Sequence, residues 1–284
     1  MIKEIINYLL STYFDKNLHQ DILHFLEIEN NNENPRNQKM ALIGNQTFAL
    51  SKWWASKTID IVKVNRNTFS KENRRELRKE LIAGDNVVSG IQGWMLAAQL
   101  IEKIKSGEYE LTNFARAVYD NDSKFEKSST WWAVHLSICF SDRKEPYASF
   151  FLNLDTLSKD WLEWNRLKEK IEVVNQNDAP ESLNKNLQGV RGMFENDRPL
   201  ADLGLIEIRK DDEDKQISVR LGSPKLTDQI ILHALAMMRF SCYKSRSGLD
   251  FSEISKAGLP HFLCCSPEEL RKHLLRMEQS NNWK

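Results

Sequence analysis

The chain has 284 residues, long enough to bury a large core and to predict about two domains. Its 40 basic and 40 acidic side chains balance, which excludes a globally basic nucleic-acid coat and makes any electrostatic surface local. No run of about 18 apolar residues suggests a membrane span, so no membrane contact is expected.

In chain order, 1–29 read as two short helices with apolar stripes at Ile5, Ile6, Leu9 and Leu10, then Ile22, Leu23, Phe25 and Leu26. The first is amphipathic, with acidic residues and no small-residue cleavage site. It therefore does not read as an export signal, and the chain is expected in the cytoplasm. The polar, Asn-rich stretch 29–38, broken by Pro35, reads as a linker, making 1–38 a helical appendage.

Residues 39–120 are expected to form a winged-helix-like domain. Phe48, Trp53 and Trp54 are aromatic anchors there. The stretch 68–81 is dense in helix formers, with Ser70 as N-cap and Leu77 and Leu81 on one face. Gly84 breaks the pattern, and Asp85 is expected to cap a helix running to about Gln99. Val87, Val88, Ile91, Trp94, Met95, Ala98 and Ile101 give it a wide apolar face. A hairpin over 103–111 turning at Ser106-Gly107 follows, and Thr112 starts the next helix. Together these elements predict a helix-turn-helix followed by a wing.

A helical middle region is expected over 121–198. The stretch 128–140 is apolar nearly all round and belongs in the core; 148–154 is also apolar. One long helix is expected over 157–174 with Trp161, Leu162, Trp164 and Leu167 inside, and another over 183–194. The last region, 199–284, should hold strands at 203–208 and 217–221 joined by a polar connection, then a helix over 227–240. Ser266, Pro267 and Glu269 form a capping-box start for a final helix to about Glu278. The stretch 227–278 thus repeats a three-helix, helix-turn-helix-like plan. The fold class expected is mainly α with small β-hairpins.

The candidate site rests on a local excess of cations, because each neutralised phosphate releases condensed counterions. Arg66, Lys71, Arg74, Arg75, Arg78 and Lys79 crowd the first helix of the pair and the residues just before it, and Lys71, Arg74, Arg75 and Arg78 recur at helical spacing. A solvated face laced with Glu72, Glu76 and Glu80 is the plainer reading of the same pattern. Asn86, Ser89 and Gln92 on the second helix suit base edges, and Lys103 and Lys105 extend from the wing. Gly90 and Gly93 each cost roughly 1 kcal/mol against alanine in a helix. They therefore predict a close neighbouring backbone, of protein or nucleic acid, with a protein helix the commoner case.

Other candidates point to packing. His135 sits in an apolar helix and reads as a hydrogen-bonded core histidine rather than a base. Trp53-Trp54 and Trp131-Trp132 could stack bases, the second pair fitting the core better. The acidic run 211–214 lacks the glycine and distal glutamate of a calcium loop and reads as a solvated turn. Cys139, Cys242, Cys264 and Cys265 show no metal spacing or disulfide framework and read as reduced thiols. Phosphate-loop, nucleophile-elbow and HExxH motifs are missing, so no metal or cofactor is expected and a non-enzymatic role is favoured.

Several blocks in order also resemble the bacterial domain of unknown function 4007 family. They are QTFALSKWW, GDNVVSGIQGWMLAAQLI, the block LTNFARAVYDNDSKFEKSSTWWAVHL with Thr130, Trp132 and His135, then PLADLGLI, LDFSEIS and SPEELRKHLLRME. The resemblance covers about 41–278. Asp85 departs from the family's usual lysine and Val87 from its methionine. The resemblance implies a genomic setting beside a sulfurtransferase-like reductase and a cysteine desulfurase, in DNA phosphorothioation and phage-defence islands.

Three functions follow as expectations. The first is a DNA-binding accessory or regulatory subunit acting on double-stranded DNA. The second is a scaffold that bridges sulfur-modification or restriction subunits through 1–29 and the Gly90/Gly93 face. The third is an enzyme using Cys264, Cys265 and His261. A homo-oligomer is open in each case.

Overall fold

The computed structural model describes residues 42–175, 179–195, 197–211, 216–243 and 249–280. The expected N-terminal helices, the 29–38 linker and most of the acidic run 211–214 lie outside the described residues. Among those described, the chain is mainly helical with two small antiparallel sheets. No helix there is long and apolar enough to cross a membrane.

Helix α1, Lys52–Val64, begins at Ser51, whose hydroxyl accepts from the Trp54 N–H. Its buried side, Ala55, Ile59, Ile61 and Val62, is apolar apart from Thr58. Next comes α2, Arg74–Glu80, shorter than the 68–81 helix expected. Residues 66–73 form turns instead, and asparagine side chains explain why. The Asn65 side chain accepts from the Asn67 N–H at 2.9 Å, and Asn73 Nδ2 donates to the Asn67 carbonyl at 3.0 Å. Such local bonds offer the backbone an alternative to the helical ladder. Lys71 therefore lies in a turn and not on the α2 face.

Helix α3, Asp85–Ala97, differs from expectation at both ends. Gly84 is the N-cap and Asp85 the first helical residue. The helix ends at Ala97 and not at Gln99, which adopts φ 54°. Val88, Ile91, Trp94 and Met95 are buried as predicted. Strands β1, Ile101–Lys105, and β2, Glu108–Leu111, make the expected hairpin, with Gly107 at φ 78° in its turn. Thr112 caps α4, Asn113–Asp122, by accepting from the Ala115 N–H.

The core centres on α5, Ser128–Phe140, buried from Thr130 to Phe140 except at Ala133, as its all-round apolar sequence predicts. It packs against α6, Tyr147–Leu152, and against α9, Asp228–Cys242. The long helix expected over 157–174 is only α7, Trp164–Val174. Asp155 takes the Leu157 and Ser158 N–H groups in a local turn, and Lys159 sits at φ 52°. Leu162–Glu163 is a strand, β3. Trp161 is half-buried beside the Arg209 and Arg220 guanidiniums and not inside a helix.

Helix α8, Pro180–Gly192, opens with proline in its first turn. Strands β4, Ile206–Lys210, and β5, Ile217–Leu221, pair with Ile208 opposite Val219, and β3 adds to the other edge of β5. The C-terminal region holds α9, then two short helices, α10, Phe251–Lys256, and α11, Leu259–Phe262, and then α12, Pro267–Ser280. The expected three-helix plan there thus contains a fourth helix. At α12 the capping box forms as read: the Ser266 N–H donates to Glu269 Oε2 at 2.7 Å and the Glu269 N–H to Ser266 Oγ at 3.1 Å.

One irregular segment, turned at 45–48, ties distant parts of the chain together. The Gly44 and Asn45 N–H groups donate to Asn186 Oδ1 at 2.8 and 3.2 Å, and the Ile43 N–H donates to the Glu145 carbonyl at 2.9 Å. The Trp94 indole donates to the Phe48 carbonyl at 2.6 Å. Residues 43–48 are thereby held between α3 and α8.

Candidate nucleic-acid interface

The helix pair and the hairpin meet at the 65–73 turn. The Tyr109 N–H donates to the Arg66 carbonyl at 2.8 Å, and the Phe69 and Tyr109 rings meet edge-on at 5.3 Å. A Cβ on Gly107 would lie 3.4 Å from Ser70 Cβ, so the hairpin turn touches the residue before Lys71. On the other side the Trp54 indole donates to the Leu81 carbonyl at 3.3 Å, tying α1 to the α2–α3 connection. A continuous strip results: hairpin turn, Lys71, α2, and the start of α3.

Arg74 is bolted across that strip. Its Nε donates to Asp85 Oδ1 at 3.2 Å, and its Nη2 donates both to the Asp85 carbonyl and to Ser89 Oγ at 2.6 Å. The Ser89 hydroxyl donates in turn to the Asp85 carbonyl at 3.0 Å. Arg78 Nη1 lies 3.0 Å from Asp85 Oδ2. Three of the sequence-predicted residues, Arg74, Arg78 and Ser89, thus converge on Asp85, which for the two arginines is a partner on another helix that spacing within α2 could not disclose.

The remaining cations divide into two groups. Arg66 pairs with Glu110 at 3.1 Å, Lys105 with Glu108 at 2.8 Å, and Lys79 with Glu76 at 3.8 Å. In each pair the cation is exposed, so such pairs contribute about 0–1 kcal/mol each. Lys71, Arg75 and Lys103 are exposed and have no ion pair among the described residues. On α3, Asn86 is exposed and Gln92 and Ser89 are half-buried.

The two α3 glycines face protein. A Cβ on Gly90 would come 2.6 Å from the Asn45 carbonyl oxygen, and one on Gly93 would come 2.3 Å from that of Ile43. The close backbone is the 43–45 segment and neither a helix nor a nucleic acid. A partner therefore cannot use the Gly90/Gly93 face, which corrects that part of the scaffold reading. Gly189 on α8 faces the same segment: a Cβ there would come 2.4 Å from Asn45 Nδ2.

The other candidates are interior. His135 Nε2 lies 2.8 Å from the Phe262 carbonyl and Nδ1 lies 2.8 Å from the Tyr147 hydroxyl. A carbonyl only accepts, so Nε2 carries the proton and Nδ1 accepts from Tyr147. Burial lowers the His135 pKa to about 4. Cys264 is buried, with Sγ donating to the Leu205 carbonyl at 3.2 Å. Burial raises its thiol pKa, and burial pushes that of Cys265 up to about 12. Thiols held protonated are poor nucleophiles and metal ligands. Trp131 and Trp132 are buried and cannot stack on bases, whereas Trp53 is 48% exposed on α1.

The family model for Protein of unknown function (DUF4007) matches residues 43–283. The chain belongs to that family. No curated protein matches it. Its fold is similar to that of a magnesium-ion-bound SspB crystal structure, with TM-score 0.65 at 17% identity over 86% of this chain and 79% of that one. A second SspB crystal structure gives TM-score 0.64 with the same identity and coverage. At this identity the likeness concerns the fold.

Proposed function

We propose that this chain is a cytoplasmic DNA-binding accessory or regulatory subunit of a bacterial DNA phosphorothioation or related anti-phage defence system. In this reading α1, α2, α3 and the β1–β2 hairpin are a winged helix-turn-helix, with α3 as recognition helix and the hairpin as wing. The observation that carries it is the strip joining hairpin turn, Lys71, α2 and α3, on which Lys71, Arg75 and Lys103 are exposed and have no ion pair among the described residues. These three would hold backbone phosphates, and Asn86 and Gln92, whose side chains are not used in the Arg74 bracket, would lie nearest the bases. Ser89 would position Arg74 through its hydroxyl. The defence setting rests on the family resemblance.

The reading assigns no catalytic step. SspB carries magnesium in one structure, but among the described residues here no group of three or more His, Cys, Asp or Glu side chains could hold a metal ion. No metal-dependent step is assigned.

Fluorescence anisotropy with duplexes carrying or lacking a phosphorothioate tests the proposal. Binding that weakens steeply with salt supports it, and a preference between duplexes would add sensing of the modification. No binding at low salt, together with co-purification of modification or restriction subunits, would replace it with the scaffold reading.

A further inference from the structure

We infer that the Asp85 carboxylate is a built-in competitor for DNA phosphate, occupying an anion seat formed by Arg74, Arg78 and the start of α3. The inference rests on the DNA-binding reading above. Asp85 places one carboxylate oxygen 3.2 Å from Arg74 Nε and the other 3.0 Å from Arg78 Nη1, so a single anion is held by two cations. A phosphate group offers the same charge and the same spread oxygens to guanidinium forks. Gly84, the N-cap residue of α3, supplies no side-chain acceptor to the first-turn amides, which favour an anion at this end.

The seat survives removal of its occupant. Arg74 is also fixed by the Asp85 backbone carbonyl and by Ser89 Oγ, each at 2.6 Å, and is only 24% exposed. Arg78 is 47% exposed and meets Asp85 through the carboxylate. Without that carboxylate Arg74 stays aimed and Arg78 is released toward solvent. Asp85 itself is 56% exposed, so its pairs exchange at little cost and substitution leaves the core untouched. In the native chain Asp85 thus lowers DNA affinity and keeps two arginines from adding to nonspecific binding.

The test compares wild type, Asp85→Asn and Asp85→Ser for affinity to a plain duplex across a salt series, each with and without Arg78→Ala. Both Asp85 variants should bind about tenfold tighter at fixed salt, the scale of one additional charge-assisted hydrogen bond to phosphate. Their log–log salt slopes should steepen by about one, for one further phosphate neutralised. Arg78→Ala should change wild-type affinity less than about twofold yet erase the gain in the Asp85 variants. Wild-type binding with no gain, or a loss, in both Asp85 variants overturns the inference and leaves the DNA reading standing. A gain that survives Arg78→Ala also overturns it, because that result reflects general charge alone. Absence of binding by every variant overturns the DNA reading and this inference with it.

Discussion

Gly93 and Ile43 are in backbone contact: a methyl group on Gly93 would stand 2.3 Å from the Ile43 carbonyl oxygen. The obstacle is main chain, fixed on either side by the Ile43–Glu145 and Asn45–Asn186 hydrogen bonds, and cannot rotate away. Helix propensity alone favours Gly93→Ala by about 1 kcal/mol, but overpacking against a rigid neighbour costs about 1–3 kcal/mol. The clash should win, so Gly93→Ala is expected to lower unfolding free energy in urea. A gain in stability would mean that 43–45 is not seated on α3.

Ile82 makes the opposite case. It joins α2 to α3 at φ 48°, a region costly for a β-branched side chain, and it is 83% exposed. Ile82→Gly removes about 1–2 kcal/mol of strain and adds about 0.5–1 kcal/mol of unfolded-state entropy. The net expectation is a gain of up to about 1 kcal/mol, seen as a melting temperature raised by a few degrees. A fall would show that this turn is not strained.

Asp122 ties the end of α4 to the start of α5. Its carboxylate accepts from the Glu126 and Lys127 N–H groups at 2.9 and 3.0 Å and from the Thr130 hydroxyl at 2.7 Å. Burial raises its pKa, but the Thr130 hydroxyl and these two amides outweigh burial and leave it below the usual 3.8. A depressed pKa means stability present above the unfolded value and lost as pH falls through the folded one. Asp122→Asn should cost about 1–3 kcal/mol at pH 7, with the difference from wild type shrinking below pH 3.8. Urea unfolding at both ends of that window checks it; an unchanged difference would contradict it.

His135 sets a higher acid window. Its neutral ring donates to Phe262 and accepts from Tyr147, so protonation would put a second ring donor against the Tyr147 hydroxyl. With the pKa lowered from 6.5 to about 4 by burial, stability is full above pH 6.5 and falls as pH drops toward 4. The loss is up to about 3 kcal/mol. His233, whose Nε2 is buried with no hydrogen-bond partner among the described residues and whose pKa burial also lowers to about 4, adds to the same window. Between pH 7 and 5 wild type should therefore lose more stability than His135→Gln. Equal losses would exclude His135 from the acid response.

Elements with strong local signals were legible in the sequence. Helix α5 is apolar on every side, the β1–β2 turn carries Ser106-Gly107, and α12 carries its own capping box. Tertiary partners were not. Leu162 fits the periodicity of a long helix, but it pairs with Val219 on β5 while Asp155 closes a turn before it. Lys71 shares spacing with Arg74 and Arg78, yet asparagine side chains hold its turn open. Within the candidate site, the cations could be read and their ownership could not. Asp85 lies eleven residues beyond Arg74, on another helix, so periodicity within one helix cannot join them. The α3 glycines correctly signalled close approach, but the identity of the neighbour required the fold.

In the proposed function the strip from the hairpin to α3 holds duplex DNA. The measurement that tests it most directly is the salt dependence of duplex binding by wild type and by the Lys71→Ala, Arg75→Ala, Lys103→Ala triple variant. Wild type should bind with a steep slope. The variant should bind all sequences more weakly, with a slope reduced by about three, one for each phosphate no longer neutralised. Equal affinity and equal slope for the two proteins would contradict the account.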